Sequence, residues 1–254
     1  MLKIKALNTI TKLITITFLG LLAFCAFTLN AVDVKSPIKL DTAIYLKNPN
    51  YKIGIALLKL NKLKHAEIVM LGNSLTHGAN WNELLGRTSV VEEGIVGDVL
   101  EGFYHRMKYV YKLRPKIVFV MGGLNDIYSW VPVETIYKNY VKVINGLRLR
   151  RIIPVIQLTT YSTEYYAKDW LNKSHPEINV KKYNDGRNKE VDKLNRMLRN
   201  YAKVNNIDII DLNAKTRRGH FLKHEITLDG IHFNDKGYKI WVREVNKILK
   251  KYKL

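Results

Sequence analysis

Short apolar runs alternate along most of the chain with longer stretches in which apolar residues recur at helical spacing. The clearest short run is Ile-Val-Phe-Val-Met at 117–121; three other runs are similar in length, and a further run at 89–94 is weaker. Such runs indicate buried strands, whereas a period near 3.6 indicates helices. The predicted strands cover residues 67–71, 89–94, 116–121, 152–158 and 208–212, and the predicted helices cover 98–113, 133–149, 188–205 and 235–251.

This alternation predicts one α/β domain from about residue 60 to 254. Strands that alternate with long helices form βαβ units, whose strands pair in parallel. We therefore expect a three-layer α/β/α sandwich with a central parallel sheet of about five strands. The aromatic-rich stretch 160–186 interrupts the pattern after a strand. It is either a loop that covers a pocket or a surface excursion whose rings pack back on the core.

The first 32 residues have a different pattern. Lys3, Lys5 and Lys12 precede an uncharged, mostly apolar stretch at 13–32. That length suffices for a helix to cross a bilayer, and a signal peptide has a similar pattern. Bulky Leu29 fits a cleavage site poorly, which favours an uncleaved N-terminal membrane anchor over a signal peptide. Both interpretations stay open, and a buried core helix is the third alternative. Both export interpretations place the domain on the periplasmic or extracellular face, membrane-anchored or secreted.

Three segments follow from these patterns. Residues 1–32 are predicted to be a signal peptide or an N-terminal membrane anchor. Residues 33–59 are predicted to be a tether with a leading helix, because Ser36-Pro37 and Asn48-Pro49 interrupt regular structure there. Residues 60–254 are predicted to be the α/β domain.

Charge and cysteine content narrow the classes of partner. The formal net charge is +20, but the lysines are spread along the whole chain. This favours a generally basic surface over a dedicated polyanion site, so we predict no nucleic-acid partner, while attraction to anionic lipid stays open. Cys25 is the single cysteine, which excludes an internal disulfide and a cysteine metal cluster.

Residues able to support catalysis follow several predicted strands. Ser74 follows the first strand, Gly97 the second and Asn125 the third, while Asp229 and His232 precede the last helix. Ligands bind beyond the carboxyl ends of the strands in open parallel sheets, so we expect these residues to converge there.

Together these residues fit a serine hydrolase. Ser74 would be the nucleophile, His232 the base that accepts its proton, and Asp229 the carboxylate that orients the imidazole. The backbone N–H groups of Ser74 and Gly97 and the side-chain amide of Asn125 are candidate donors to the oxyanion. Each residue alone has an ordinary explanation, Ser74 as a helix cap for example. Their joint occurrence at strand ends favours the catalytic interpretation.

The four motifs resemble those of the SGNH, or GDSL-type, hydrolase superfamily over about residues 66–250. Gly72-Asn73-Ser74-Leu75 resembles its nucleophile motif, with Asn73 where the family usually has aspartate. The remaining motifs are 94–98, 123–126 and 229–232, which contain Gly97, Asn125, and the Asp229 and His232 pair. The resemblance implies a flavodoxin-like fold, no metal and no cofactor. It further suggests the branch of acetylhydrolases and lysophospholipase-like esterases.

We therefore expect an esterase that acts on small acyl esters, either O-acetylated glycans or lysophospholipids, through an acyl-enzyme. The alternatives are an O-acyltransferase of the same family and a catalytically silent basic module that binds surfaces. The membrane partner is expected through the N-terminal segment. His220 and His224 have no cysteine or carboxylate cluster beside them in the sequence, so we predict that they are surface histidines.

Overall fold

The structure, a computed structural model, describes residues 43–254, and its centre is a parallel sheet of order β2-β1-β3-β4-β5. The strands are β1 (Ile68–Gly72), β2 (Val90–Gly94), β3 (Ile117–Met121), β4 (Ile153–Gln157) and β5 (Asp208–Ile210). Each one overlaps a strand that the apolar runs predict. The predicted fold class is therefore confirmed.

The two central strands β1 and β3 are buried along their whole length. Their continuous apolar sequence is required because helices cover both faces of a parallel sheet. Gly72 at the end of β1 pairs with Gly94 at the end of β2, and Leu71 pairs with Val120 of β3. The carboxyl ends of these three strands therefore lie at one level.

Helices cover both faces of the sheet. In chain order they are α1 (Ile44–Lys47), α2 (Pro49–Leu60), α3 (Ser74–His77), α4 (Trp81–Leu85), α5 (Leu100–Lys112), α6 (Leu124–Tyr128), α7 (Val133–Arg148), α8 (Lys168–Ser174), α9 (Val180–Asn205), α10 (Asn213–Thr216) and α11 (Asp235–Lys251). Helix α7 contacts α5 and α9, whereas α11 contacts α4 and β5. With right-handed crossovers, α5, α7 and α9 lie on one face and α4 and α11 on the other. A hairpin of β6 (Arg217–Arg218) and β7 (Phe221–Leu222) and a 3₁₀ turn (His224–Ile226) precede α11.

The strand order places a crevice beside β1. The chain passes from β1 to β2 on one side and then returns to β3 on the other side. Loops that leave neighbouring strands in opposite directions separate at such a switch point, where open α/β sheets bind their ligands. The loops after β1, β2 and β3 are those that carry Ser74, Gly97 and Asn125.

Aromatic packing fixes the last helix against the short helix that begins at Ser74. The rings of Trp81 and Trp241 lie 4.8 Å apart in an edge-to-face arrangement. The Tyr238 hydroxyl donates to Leu75 O (2.8 Å), and the Trp81 indole donates to Thr76 O (2.8 Å). Aromatic pairs of this kind contribute about 0.5–1.5 kcal/mol beyond their buried area. The chain's end and the loop after β1 are thereby packed as one unit.

Helix α9 begins at Val180, eight residues before the predicted start at 188, and α8 lies within the stretch 160–186 predicted as a loop. The start of α9 was missed because its first turns bury Asn184, which donates to Tyr166 O (2.9 Å) and accepts from the Tyr128 hydroxyl (2.8 Å). Asn188 bonds both the N–H and the C=O of Ser162, and Asn195 does the same for Thr159. Polar residues on a buried face do not produce the apolar period by which a helix is recognised.

The stretch after β4 packs inward where it leaves the sheet. Tyr161 is buried, and Tyr166 packs against the hydrophobic core. Trp170, on α8, is exposed. The aromatic residues nearest the strand therefore follow the expectation that the rings pack back on the core.

The leading helix predicted before residue 60 is present as α2, with the short helix α1 before it. The predicted apolar N-terminal segment and the first part of the tether lie outside the described residues. Within residues 43–254, no helix combines the length and the apolar content needed to cross a bilayer.

Candidate active site

Ser74 is the first residue of α3, directly after the turn that ends β1. Buried Asn73 caps this helix by accepting a hydrogen bond from Leu75 N (3.1 Å). Asn73 therefore orders this loop, and the interpretation of Ser74 as the helix cap is wrong. A Cβ on Gly72 would lie 1.9 Å from the Thr76 hydroxyl oxygen, so the close approach of α3 to the strand requires glycine.

His232 and Asp229 lie in the turn before α11 and reach Ser74 through one chain of hydrogen bonds. The His232 Nε2 atom is 2.9 Å from Ser74 Oγ, and its Nδ1 atom is 2.6 Å from Asp229 Oδ2. The other oxygen of Asp229 accepts from the N–H groups of Ile231 (3.0 Å) and His232 (2.9 Å). The structure therefore brings the side chains of His232 and Asp229 to Ser74, which lies 158 residues before His232 in the sequence.

Two further contacts fix this turn. Thr227 donates to His232 O (2.7 Å) and accepts from Gly230 N (3.0 Å). Gly230 has a φ of +100°, and a Cβ there would lie 2.5 Å from the Thr163 hydroxyl oxygen. Only glycine combines this left-handed backbone with such a close approach.

Asp229 is ionised at neutral pH. Partial burial opposes its charge, but hydrogen bonds from the His232 ring and from the two backbone N–H groups outweigh that effect and lower the pKa of Asp229. The side chains of His232 and Asp229 are 37 % and 49 % exposed. The imidazole is therefore accessible from solvent, and a carboxylate at this distance favours a positive charge on it.

Gly97 and Asn125 lie beside each other at the ends of the strands that flank β1. Gly97 has a φ of +74° in a turn that Asp98 N closes onto Ile95 O (3.1 Å). The Asn125 side chain, in the first turn of α6, donates through Nδ2 to Asp98 O (2.8 Å). The two predicted donors are thus in one hydrogen-bonded loop system, and their role at an oxyanion stays a prediction.

A buried arginine beneath this loop system was not predicted. Arg106 is fully buried and donates to Asp98 Oδ2, Glu93 O and Gly72 O, each at 2.8 Å. It therefore connects the ends of β1 and β2 to the loop of Gly97. A sequence signal existed, because Arg106 falls on the apolar stripe of α5 with Phe103 and Val110. A charge on such a stripe requires a buried partner.

Burial raises the pKa values of the carboxyl groups below the site. Burial raises the pKa of Glu93 to about 7 against the opposing effect of Arg106. Burial likewise raises the pKa of Asp126 to about 7, although both its oxygens accept from Leu100 N (3.1 and 3.2 Å). The buried side of the site is thus an unfavourable environment for negative charge.

His220 is not the simple surface histidine that we predicted. Its Nδ1 lies 2.7 Å from Asp185 Oδ1 and its Nε2 lies 2.7 Å from Asp192 Oδ2, while Tyr161 donates to the other oxygen of Asp192. Helix α9 supplies both carboxylates, which are 28 and 35 residues away in sequence. His224 is exposed, with its Nε2 2.9 Å from Glu164. Within residues 43–254, no group of His, Cys, Asp and Glu has an arrangement suited to a metal ion.

An aromatic surface, defined as Tyr128, Trp130, Tyr166 and Tyr183, adjoins the turn of Asp229. The Tyr166 backbone lies against Gly230, and its ring contacts that of Tyr128 at 5.1 Å. Tyr183 connects Tyr128 (6.1 Å) to Trp130 (6.2 Å). Trp130 has a φ of +58° and is 64 % exposed. The Arg187 guanidinium lies 3.6 Å from the centroid of its ring.

Comparisons with known proteins identify the family of the chain. Residues 70–240 match the model of the GDSL-like lipase/acylhydrolase family. The match covers the loops of Ser74, Gly97, Asn125 and His232. It confirms the superfamily that the four sequence motifs resemble.

Individual relatives are distant. The chain is 25 % identical over 137 residues to an N-acylneuraminate cytidylyltransferase of Streptococcus agalactiae serotype V, and the match covers 51 % of this chain but 29 % of that protein. A GDSL-like lipase from Bacteroides thetaiotaomicron superposes with a TM-score of 0.66 at 20 % identity, covering 80 % of this chain and 98 % of the other. The acetyl xylan esterase AlAXEase superposes with a TM-score of 0.56 at 18 % identity, covering 72 % of this chain and 98 % of the other. At these identities the structural likeness shows a shared fold.

Proposed function

Because the chain belongs to the GDSL-like lipase/acylhydrolase family and is therefore a serine ester hydrolase, we propose that it removes small acyl groups from the hydroxyl groups of glycans. The observation that carries this proposal is the hydrogen-bonded chain from Ser74 Oγ through the His232 ring to Asp229. Nucleophile, base and orienting carboxylate are in contact, as acyl transfer by serine requires.

The reaction proceeds through an acyl-enzyme. Ser74 Oγ attacks the ester carbonyl carbon as His232 Nε2 takes the hydroxyl proton, and Asp229 stabilises the resulting imidazolium. The bond between the carbonyl carbon and the alcohol oxygen then breaks, and the alcohol leaves with the proton from His232. A water molecule attacks the acylated Ser74 while His232 accepts its proton. Collapse of that intermediate releases the carboxylic acid and returns the proton to Ser74.

Three donors would stabilise the negative carbonyl oxygen formed in each step. They are the backbone N–H groups of Ser74 and Gly97 and the Asn125 amide. An amide nitrogen carries two hydrogens, so Asn125 can donate to Asp98 O and to the oxyanion together. Fixed donors of this kind stabilise the transition state more than mobile water molecules do, because they need no reorganisation as the charge develops.

The surroundings of Asp229 support a glycan rather than a lysophospholipid as substrate. The aromatic surface combines an exposed ring, Trp130, with tyrosine rings and the guanidinium of Arg187. A sugar has apolar ring faces that pack on aromatic rings and hydroxyl groups that need polar partners, and the surface offers both. Two of the similar proteins are named for activities on carbohydrates, one of them on an acylated sugar acid.

A fluorophosphonate probe tests the enzymatic proposal on the purified full chain. We expect labelling of the wild type and of Ser129→Ala, an exposed serine near the site, but none of Ser74→Ala. A wild type that stays unlabelled would favour a catalytically silent surface-binding module. Equal labelling of Ser74→Ala would remove Ser74 from the nucleophile role.

Ester series test the substrate. With nitrophenyl esters from acetate to palmitate, we expect a short-chain optimum, and a long-chain optimum would indicate lipids. With an acetylated polysaccharide, Trp130→Ala should lose more activity than Trp170→Ala, a matched exposed tryptophan on α8. Transfer to an added glycan acceptor in excess of hydrolysis would show an O-acyltransferase instead.

We also propose that the domain is exported. Lys3, Lys5 and Lys12 before the uncharged stretch 13–32 support this location, through either a signal peptide or an N-terminal anchor. Protease added to spheroplasts that express the full chain, with the inner membrane intact, should digest the domain, unless the domain is found already released into the medium or the periplasmic fraction. Complete protection, with digestion only after lysis, would contradict export.

A further inference from the structure

The segment before the family match packs on the helix that follows the loop of Gly97. Helices α1 and α2 precede residue 70, where the match begins. The Tyr45 ring stacks on His105 of α5 at 4.9 Å, and the Tyr51 hydroxyl donates to Gly102 O (3.2 Å). Tyr51 is 6 % exposed. The leading helices are therefore fixed against α5.

Asn48, at the junction of α1 and α2, contacts the loop itself. Its Nδ2 atom donates to Val96 O (2.8 Å), and its Oδ1 atom accepts from Asn50 N (3.0 Å) as the cap of α2. A Cβ on Gly97 would lie 3.1 Å from the same Nδ2 atom. One side chain thus caps a helix and lies directly against Gly97.

The contact fixes the orientation of one peptide plane. Val96 C=O and Gly97 N–H belong to the same trans peptide, so they point in opposite directions. Because Asn48 binds Val96 O on the α2 side, the Gly97 N–H is directed away from α2.

This peptide is one that could otherwise rotate. It is the central peptide of the turn from Ile95 to Asp98, with a φ of +74° at Gly97, as in a type II turn. Type I and type II turns differ by a flip of this peptide, and glycine at the third position permits both. Asn125 binds Asp98 O on the other side of Gly97 but leaves the Val96–Gly97 peptide unrestrained. The donor to Val96 O comes from Asn48.

We infer that Asn48 is a positioning residue for ester hydrolysis, which keeps the Val96–Gly97 peptide in the orientation that presents Gly97 N–H to the oxyanion. The inference rests on the proposed function, in which that N–H stabilises the negative carbonyl oxygen. Asn48 itself touches neither the substrate nor the reacting atoms. Its effect is exerted through the hydrogen bond to Val96 O.

Two substitutions separate this role from helix capping. Asn48→Ser retains a good N-cap but loses the donor to Val96 O. Asn48→Asp keeps the shape and the capping oxygen but replaces the donor with an acceptor facing Val96 O. Asn61→Ser is the matched control at the other end of α2, where Asn61 Oδ1 accepts from Leu63 N (2.8 Å).

Steady-state kinetics of the full chain with nitrophenyl acetate give the test. We expect Asn48→Ser to lower kcat about tenfold with KM unchanged, since losing an oxyanion donor altogether costs about 10²–10³. Asn48→Asp should lower kcat at least as much, and Asn61→Ser should leave it unchanged. Thermal unfolding midpoints of Asn48→Ser and Asn61→Ser should both stay well above the assay temperature, so that the kinetics report folded protein in each case.

The outcomes that would overturn the inference are distinct from failure of the proposed function. If the wild type is active and Ser74→Ala is not, the esterase proposal stands. An Asn48→Ser variant with wild-type kcat would then overturn the role of Asn48 alone. A loss of kcat that merely follows a lowered unfolding midpoint would also overturn it, because capping would explain the result. A wild type without esterase activity would overturn both proposals.

Discussion

His232 and His220 are both hydrogen-bonded to aspartates near the carboxyl edge of the sheet, but they differ in the partner of the second ring nitrogen. His232 binds Asp229 through Nδ1 (2.6 Å) and Ser74 Oγ through Nε2 (2.9 Å). His220 binds Asp185 through one nitrogen and Asp192 through the other, both at 2.7 Å.

The difference determines what each imidazole can do. A neutral imidazole donates through one nitrogen and accepts through the other, whereas ionised carboxylates only accept. His232 donates to Asp229 and has its other nitrogen on a hydroxyl that can give up a proton. His220 has carboxylates at both nitrogens and so has none to accept a proton from a nucleophile. A histidine–aspartate contact therefore indicates a base only when the second nitrogen faces a proton donor.

The largest expected effect is the contrast between His232→Ala and His220→Ala. The first should lower kcat for nitrophenyl acetate by about a millionfold, the scale seen when a serine hydrolase loses its base. The second should leave kcat unchanged. Comparable losses in both variants, or retention of most activity in His232→Ala, would contradict the comparison.

The carboxylate partners should differ in the same way. Asp229→Asn should lower kcat by about 10⁴, because an amide no longer selects the correct tautomer or stabilises the imidazolium. Asp185→Asn removes a carboxylate from His220 and should leave kcat unchanged. The single-turnover rate of acylation, measured for both variants, tests this difference. A wild-type acylation rate in Asp229→Asn would exclude Asp229 from the proposed role.

Asp126 shows the effect of burial on a carboxyl group that lacks an imidazole partner. Its pKa is raised by burial from 3.8 to about 7, so the folded state favours the protonated form. Stability from this group is full below pH 3.8 and falls as the pH rises to about 7. Relative to Asp126→Asn, the wild type should lose up to roughly 4 kcal/mol of unfolding free energy over that range. Urea unfolding at several pH values measures this, and parallel curves would contradict it.

The contribution of Asp229 to stability depends on pH in the opposite direction. Its pKa is lowered, so its contribution to stability is present above the unfolded value of 3.8 and is lost as the pH falls through the folded value. The two carboxyl groups thus act in different pH ranges, and the Asp126→Asn comparison above pH 4 is not obscured by Asp229.

Asn125→Ala should lower kcat by roughly a hundredfold, the usual cost of losing one oxyanion donor. Asn139→Ala, at a partly exposed asparagine on α7, is the control and should have no effect. An unchanged rate for Asn125→Ala would remove Asn125 from the oxyanion role. A large increase in KM with an unchanged kcat would instead assign it to ground-state binding.

The smallest expected effect is on stability. His220→Gln should lower the unfolding free energy by about 1 kcal/mol, because two partly exposed carboxylates lose their shared donor. Its kcat should match the wild type. A variant with normal stability but reduced kcat would show that His220 has a catalytic role after all.

Much of this architecture is predictable from sequence because it depends on local patterns. Continuous apolar runs such as those of β1 and β3 identify buried parallel strands, and the strand ends then place Ser74, Gly97 and Asn125 at one edge. The pairing of Asp229 with His232 also follows from a spacing of three residues within one turn.

The parts that were not predicted depend on distant polar contacts. Asn188 and Asn195 occupy the buried face of α9 because they bind the backbone of Ser162 and Thr159, which no apolar pattern records. Arg106 and Asn48 bind carbonyl groups of the site loops from 34 and 48 residues away. The apolar stripe of α5 signals that Arg106 is buried, but no neighbouring residue indicates which remote carbonyl groups Arg106 and Asn48 bind, so only the folded structure identifies those partners.

The central claim is that Ser74 carries the acyl group during turnover. The direct measurement is mass spectrometry of proteolytic peptides after the full chain is mixed with nitrophenyl acetate and quenched in acid. We predict an acetyl group on the peptide that contains Ser74 in the wild type and none on that peptide in Ser74→Ala. Ester hydrolysis at the wild-type rate by Ser74→Ala, or acetylation only at other residues, would contradict the account.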